Sequence, residues 1–108
     1  MNVNYEEKDK FLLLEITEEI DHHTSEKIRR EADYEITRYM PRKVIFDFNS
    51  VSFMDSAGIG LIIGRYRIAN MLGGVVEIAN VKDSIKRILE ISGILKIISI
   101  IDFEEKVG

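Results

Sequence analysis

Ser52-Phe53-Met54-Asp55-Ser56-Ala57-Gly58-Ile59-Gly60 joins a strand-like run, Val44 to Phe48, to a helix-like run, Leu61 to Leu72. A hydroxyl, Ser56, therefore falls where a strand turns into a helix, beside an acid and ahead of two glycines. The first turn of a helix leaves backbone N–H groups unpaired and carries the positive end of the helix dipole. Asp55 is a natural N-cap there, because its carboxylate accepts from those N–H groups. A phosphate on Ser56 would sit in the same favourable field. Gly58 and Gly60 are expected to leave almost no side chain around the hydroxyl, so that another protein can approach closely. Ser56 thus reads as a switch residue and not as a nucleophile of the chain's own.

Downstream, Ile59, Ile62, Ile63 and Tyr66 share one side of the helix, while Gly60 and Gly64, four apart, share another. Each glycine costs a helix roughly 1 kcal/mol relative to alanine, so the pair suggests a face that something packs against or docks on. Gly73-Gly74 stops the helix, since glycine readily adopts the left-handed C-terminal conformation. Val75 to Ala79 is the next strand. Lys82 to Ile91 is a helix burying Ile85, Ile88 and Leu89 and ending at Ser92-Gly93. Lys96 to Ile101 reads as a last strand, and Asp102 to Gly108 as a helical turn or a frayed end.

Upstream, Ile28, Ala32, Ile36, Tyr39 and Met40 recur at helical spacing and give one apolar face. Asp21-His22-His23-Thr24-Ser25 opens that helix, with Asp21 or Thr24 as the capping oxygen. Pro41 ends it, because the residue before a proline is pushed out of the helical region. Val3 to Glu7 and Phe11 to Ile16 are two short strands joined through Lys8-Asp9-Lys10, a connection of hairpin length. The order is β-β-α-β-α-β-α-β. Strand–helix–strand alternation predicts a mixed, mostly parallel sheet with helices packed on it, the hairpin adding an antiparallel edge. The fold class is α/β, in one domain over residues 1–108.

At 108 residues there is no room for a second core. An apolar fraction of 45% supports a globular fold, and 31% charged residues give it a solvated surface. A net charge of −4 argues against nucleic-acid binding, which needs a clustered basic face. The absence of cysteine excludes disulfides and thiolate metal sites and suits a reducing compartment. The polar, acidic start, Met1 to Glu7, is not a signal peptide, and no apolar run approaches a membrane span. A cytoplasmic protein is expected, with neither membrane nor nucleic acid as partner and no cofactor.

Three chemical readings compete with the switch. Met54-Asp55-Ser56-Ala57-Gly58 lacks the first glycine of the hydrolase elbow G-x-S-x-G, and a small serine hydrolase would need His22 or His23 within reach of Ser56. Gly58-Ile59-Gly60-Leu61-Ile62-Ile63-Gly64 is one residue out from the dinucleotide fingerprint. His22-His23 has no third ligand at a supporting spacing, so no metal is expected. Arg65, Arg67, Lys82, Lys86 and Arg87 read as solvated helix faces. Asp21 reads either as a simple cap or as a contact for a partner, since the loops entering the first two helices can lie together in this topology.

Three stretches carry a resemblance: Ile20-Asp21-His22-His23-Thr24; Val51 to Gly60, running on to Ile63-Gly64-Arg65-Tyr66; and Val81 to Ile88, followed by Ile91-Ser92-Gly93 and Lys96-Ile97-Ile98. Together they resemble the STAS-domain anti-sigma factor antagonists over nearly the whole chain. The D-S-x-G-x-G junction marks the wider family. The D-H-H-T segment is similar to the sporulation branch, with the general-stress antagonists and unphosphorylated STAS scaffolds as alternatives. The resemblance implies a partner-switching cycle. The unphosphorylated antagonist binds an anti-sigma factor that is itself an ATP-dependent serine kinase, and so frees a sigma factor. That kinase phosphorylates Ser56 and lets go, and a PP2C-type serine phosphatase restores the hydroxyl. By the same carry-over, Asp21, His22, Thr24, Asp55, Ser56, Ala57, Gly58 and Ile59 meet the kinase, with Ile88 at the rim. Two departures stand out: Glu18-Glu19-Ile20 occupies an approach where the family often has glycine, and the chain ends soon after its last strand.

Overall fold

A computed structural model describes residues 1–102. Its elements are β1 (Asn2–Glu6), β2 (Phe11–Glu15), α1 (His22–Tyr39), β3 (Lys43–Asp47), α2 (Ser56–Met71), β4 (Val75–Ala79), α3 (Asp83–Ser92) and β5 (Ser99–Ile101). The strands form one sheet in the order β1-β2-β3-β4-β5. β1 pairs antiparallel with β2, and the other pairs are parallel. The three crossovers all advance in one direction across the sheet. Crossovers of the same hand then lay all three helices on one face. That face holds the main core, in which Leu12, Leu14, Val44, Phe46, Val76 and Ile78 meet Ile28, Ala32, Ile36, Leu61, Ile62, Ile85 and Leu89. The alternate residues Leu13, Ile45 and Ala79 make a small second cluster on the opposite face, as the period of two in a strand requires.

Each helix ends as its sequence dictates. Met40, next to Pro41, turns left-handed at φ 45° and bonds back to Ile36 O, 2.8 Å away. Gly73 does the same after α2 at φ 87°. Gly74 follows it so closely packed that an added Cβ would lie 2.5 Å from Pro41 O.

The last strand is shorter than its composition suggests. Gly93, at φ 81°, sends the chain into a 3-10 helix, Ile94–Lys96, and pairing begins only at Ser99. Ile98 N donates to Ile94 O at 3.0 Å, and these two isoleucines are the buried ones. Their spacing of four is helical, so the expected strand over 96–98 is a turn. The expected tail conformation over 103–108 lies outside the described residues.

The buried face of α2 also departs from expectation. Gly58, Leu61, Ile62, Arg65 and Ala69 turn inward, whereas Ile59, Ile63 and Tyr66 are half-buried along a flank. Arg65 is not a solvated residue: it is 6% exposed, and its Nε lies 2.7 Å from Asp33 Oδ1 on α1. Lys82 is exposed at the start of α3 but not merely solvated, because its Nζ donates to Asn49 O at 2.5 Å.

Candidate functional site: two helix mouths joined by one bridge

The loop after β3 sends Val51 and Met54 into the core, while Ser52 and Phe53 between them stay out. At Met54 it finds a partner in the loop before α1. Ile20 N donates to Phe53 O and Asp55 N donates to Ile20 O, both at 3.1 Å, forming a parallel bridge between Ile20 and Met54. Ile20 and Met54 are fully buried beneath it. The residue after each bridge position is an aspartate that caps a helix. Asp21 and Asp55 are thus held side by side, as the topology allowed.

Asp21 Oδ1 accepts from His23 N and Thr24 N, each at 2.8 Å. Thr24 Oγ1 accepts in return from Asp21 N at 3.0 Å and donates to Glu19 O at 2.7 Å. Both expected capping oxygens are therefore used, in one reciprocal box. The Thr24 amide does most to hold the Asp21 carboxyl below its ordinary value; the His23 amide and the Thr24 hydroxyl add to this, and desolvation opposes it. Asp55 Oδ1 accepts from Ala57 N at 2.8 Å.

Glu19 answers the departure from the family pattern in that approach. Its carboxylate accepts from Ser52 N at 3.1 Å and from Ser52 Oγ at 3.0 Å, tying the two loops a second time. Nothing in the sequence pattern announces this clasp, which spans 33 positions.

Ser56 is the first residue of α2 and is exposed. Asp55 has taken the nearby amide of Ala57, and the Ser56 hydroxyl makes no hydrogen bond among the described residues. Beside it lies an apolar hollow of about 330 Å³, lined by Met54, Ile59, Ile88 and Ile91. Ser56, Ile59 and Ile88 are thereby brought together from two helices. Ile91, 81% exposed at its edge, and Phe53, 54% exposed on the loop, were not singled out by sequence reasoning. Both lie outside the periodic faces used to find the core, and an exposed large apolar residue off such a face was the signal available.

On the α1 side of α2, His22, Arg29, Ala57, Gly60 and Arg65 line a separate cleft. His23 is exposed at the first turn of α1. Neither histidine hydrogen-bonds to Ser56 among the described residues, and a base–nucleophile pair would need that bond.

The two glycines part company. Gly60 is exposed, and a Cβ built on it meets nothing within 4 Å. Gly58 is buried, and a Cβ there would lie 2.3 Å from Met54 Cγ and 3.3 Å from Ile20 Cγ2. The expectation that Gly58 lies open around the hydroxyl is corrected: it lets the first turn of α2 sit down on the Ile20–Met54 bridge.

Residues 2–107 match the STAS domain family. The chain is 34% identical over 104 residues to an anti-sigma F factor antagonist from Paenibacillus polymyxa, covering 96% of this chain and 89% of that one. It is similar to the solved structure of the anti-sigma factor antagonist SpoIIAA in its unphosphorylated form, with a TM-score of 0.77 at 28% identity over 90% of this chain and 83% of that chain. It is also similar to the Bacillus cell fate determinant SpoIIAA in the phosphorylated form, with a TM-score of 0.69 at 28% identity over 90% of this chain and 86% of that chain. These are regulators and not enzymes, so the hydroxyl at the mouth of α2 is not the nucleophile of a hydrolase. The family match, the fold and the relatives agree that the chain belongs to the STAS-domain family of anti-sigma factor antagonists.

Proposed function

We propose that the unphosphorylated chain binds an anti-sigma factor that is also a serine kinase, and so frees a sporulation sigma factor in the cytoplasm. Phosphorylation of Ser56 by that kinase, with ATP, ends the interaction, and a PP2C-type phosphatase reverses it. The observation that carries this reading is the exposed, unbonded hydroxyl of Ser56 at the mouth of a 16-residue helix. The partner meets Asp21 and His22 on α1, and Asp55, Ser56, Ala57 and Ile59 on α2, with Ile88 receiving an apolar contact in the hollow beside Ser56. Thr24 and Gly58 serve the same surface from beneath, one through the capping box and the other through packing.

The switch works by charge. A phosphate adds about −1.5 to −2 charges and three strong acceptor oxygens. At the N-terminus of α2 it meets a favourable dipole, which offsets repulsion from Asp55 and Asp21 while water surrounds it. In a closed interface the water is gone, and the same anion carries its full desolvation cost. A loss of about 2.7 kcal/mol is enough to weaken binding about a hundredfold.

Incubation with the cognate anti-sigma factor and ATP tests the reading. Phosphate on Ser56 and release of the complex are expected. A complex that forms and persists with Ser56 unmodified would sink the switch.

A further inference from the structure

The cleft between α1 and α2, of about 280 Å³, has a floor unlike the apolar hollow beside Ser56. Arg65 reaches it from within the protein, only 6% exposed. Its Nε approaches Asp33 Oδ1 as an ion pair, but off the line a hydrogen bond needs, and its buried Nη1 has no partner among the described residues. Arg29 lines the same cleft, and its charge adds to the burial that already disfavours the Arg65 cation, with Asp33 opposing. The carboxylate in the lining, Glu26, is exposed and lies 3.8 Å from Arg29. Gly60 lines the same cleft with bare backbone, where a Cβ would meet open space. Two guanidinium groups, one with a buried donor unused, beside the bare backbone of Gly60 suit a planar two-oxygen anion.

We propose that this cleft receives an acidic side chain of the anti-sigma partner, its carboxylate pairing with Arg65 and Arg29 over the backbone of Gly60. The inference rests on the switch reading, because Ala57 of the cleft directly follows Ser56. It also gives the interface a register. The rim holds the acids Glu19, Asp21 and Asp55 on a protein of net charge −4, so a complementary partner presents cations there. A single carboxylate set among those cations then fits the arginine cleft and rejects the acidic rim. Opposed charges of this kind fix orientation and exclude wrong partners more than they add affinity.

The test is calorimetric titration of the cognate anti-sigma factor into the wild-type protein, Arg29→Glu and Arg67→Glu. Both arginines are exposed, so both variants fold, and Arg67 controls for net charge because it lies outside the cleft. Arg29→Glu is expected to weaken binding about tenfold or more, and Arg67→Glu by less than about threefold. Equal losses in the two variants, or none in either, overturn the cleft. So does saturable binding of inorganic phosphate by the free protein that shifts the amides of Arg29 and Gly60, because the occupant is then a free anion. Phosphorylation of Ser56 is scored in parallel samples to which ATP is added, the titrations themselves being run without it. Wild-type protein left unphosphorylated fails the switch reading, whereas phosphorylated wild-type with unchanged Arg29→Glu affinity fails the cleft alone.

Discussion

Replacing Ser56 by alanine removes the phosphoryl acceptor and leaves the start of α2 intact, because the cap is made by Asp55 on the amide of Ala57. Ser56→Ala is therefore expected to bind the anti-sigma factor as wild type does and to stay bound when ATP is added. Ser56→Asp places a carboxylate in the same interface and should bind about tenfold weaker or worse, a loss of about 1.4 kcal/mol. Equal affinities for the two variants, measured by calorimetry, would contradict the charge argument. Asp21 needs a gentler change, since alanine would take away its capping oxygen together with its charge. Asp21→Asn keeps an oxygen for the His23 and Thr24 amides, so it should melt near wild type yet bind the partner more weakly. The carboxyl also leaves a signature in acid. Its folded-state pKa lies below the ordinary 3.8, so the folded form binds fewer protons than the unfolded one between the two values. The stability it contributes is complete above about pH 3.8 and is lost as pH falls through the folded value. Asp21→Asn should accordingly flatten the acid limb of the melting curve below that pH, because the small contribution of the charge is then missing in the neutral range as well.

Elements explain why some glycines tolerate change and others do not. Gly58 sits on the bridge, and a Cβ there would overlap Met54 Cγ and Sδ, in a side chain that is itself only 2% exposed. Gly58→Ala should destabilise the fold by about 1–3 kcal/mol, as overpacking of a filled core does. Gly60→Ala meets open space in a helix and should gain up to about 1 kcal/mol in chemical denaturation. The opposite sign at two positions two residues apart checks the packing directly. The elements themselves were legible in the chain: Pro41 and Gly73 marked the helix ends, and the Asp-before-helix pattern marked both caps. The inward face of α2 was not. Positions 58, 61, 62, 65 and 69 keep a helical period, but they include a glycine and an arginine, which hydrophobicity does not count. Reading the period before the residue type would have found Arg65. The turn over 96–98 was obscured for another reason: β-branched isoleucines look like strand, and only the left-handed Gly93 reveals the helical spacing of Ile94 and Ile98.

The whole molecule separates the task of folding from the task of switching. Three helices on one sheet face put the core beneath α2, while Ser56 and the hollow beside it stand at the end of that layer, where the loops before α1 and α2 are tied by the bridge and by Glu19. An anion added at Ser56 faces water, the N-terminus of α2 and two capped aspartates, and it displaces no buried side chain. The phosphorylated protein is therefore expected to melt within a few degrees of the unmodified one, with amide shifts confined to the first turns of α1 and α2 and the loop between β3 and α2. A shift of more than about 8 °C would mean a change of about 1 kcal/mol or more in a domain of this size, and so a fold-level effect of the phosphate. Salt separates the two forms of repulsion that could release the partner. Between about 0.01 M and 1 M the screening length falls from about 30 Å to 3 Å, which erases attraction or repulsion acting through water. A phosphate enclosed beside Ile59 and Ile88 is shielded from those ions, so its desolvation cost persists. The ratio of affinities between unmodified and phosphorylated protein should consequently change less than about tenfold across that range, even as both affinities move. A ratio that collapses to one at high salt would place the phosphate in open solvent at the edge of the interface, and Ser56 would then control the encounter with its partner and not the closed complex.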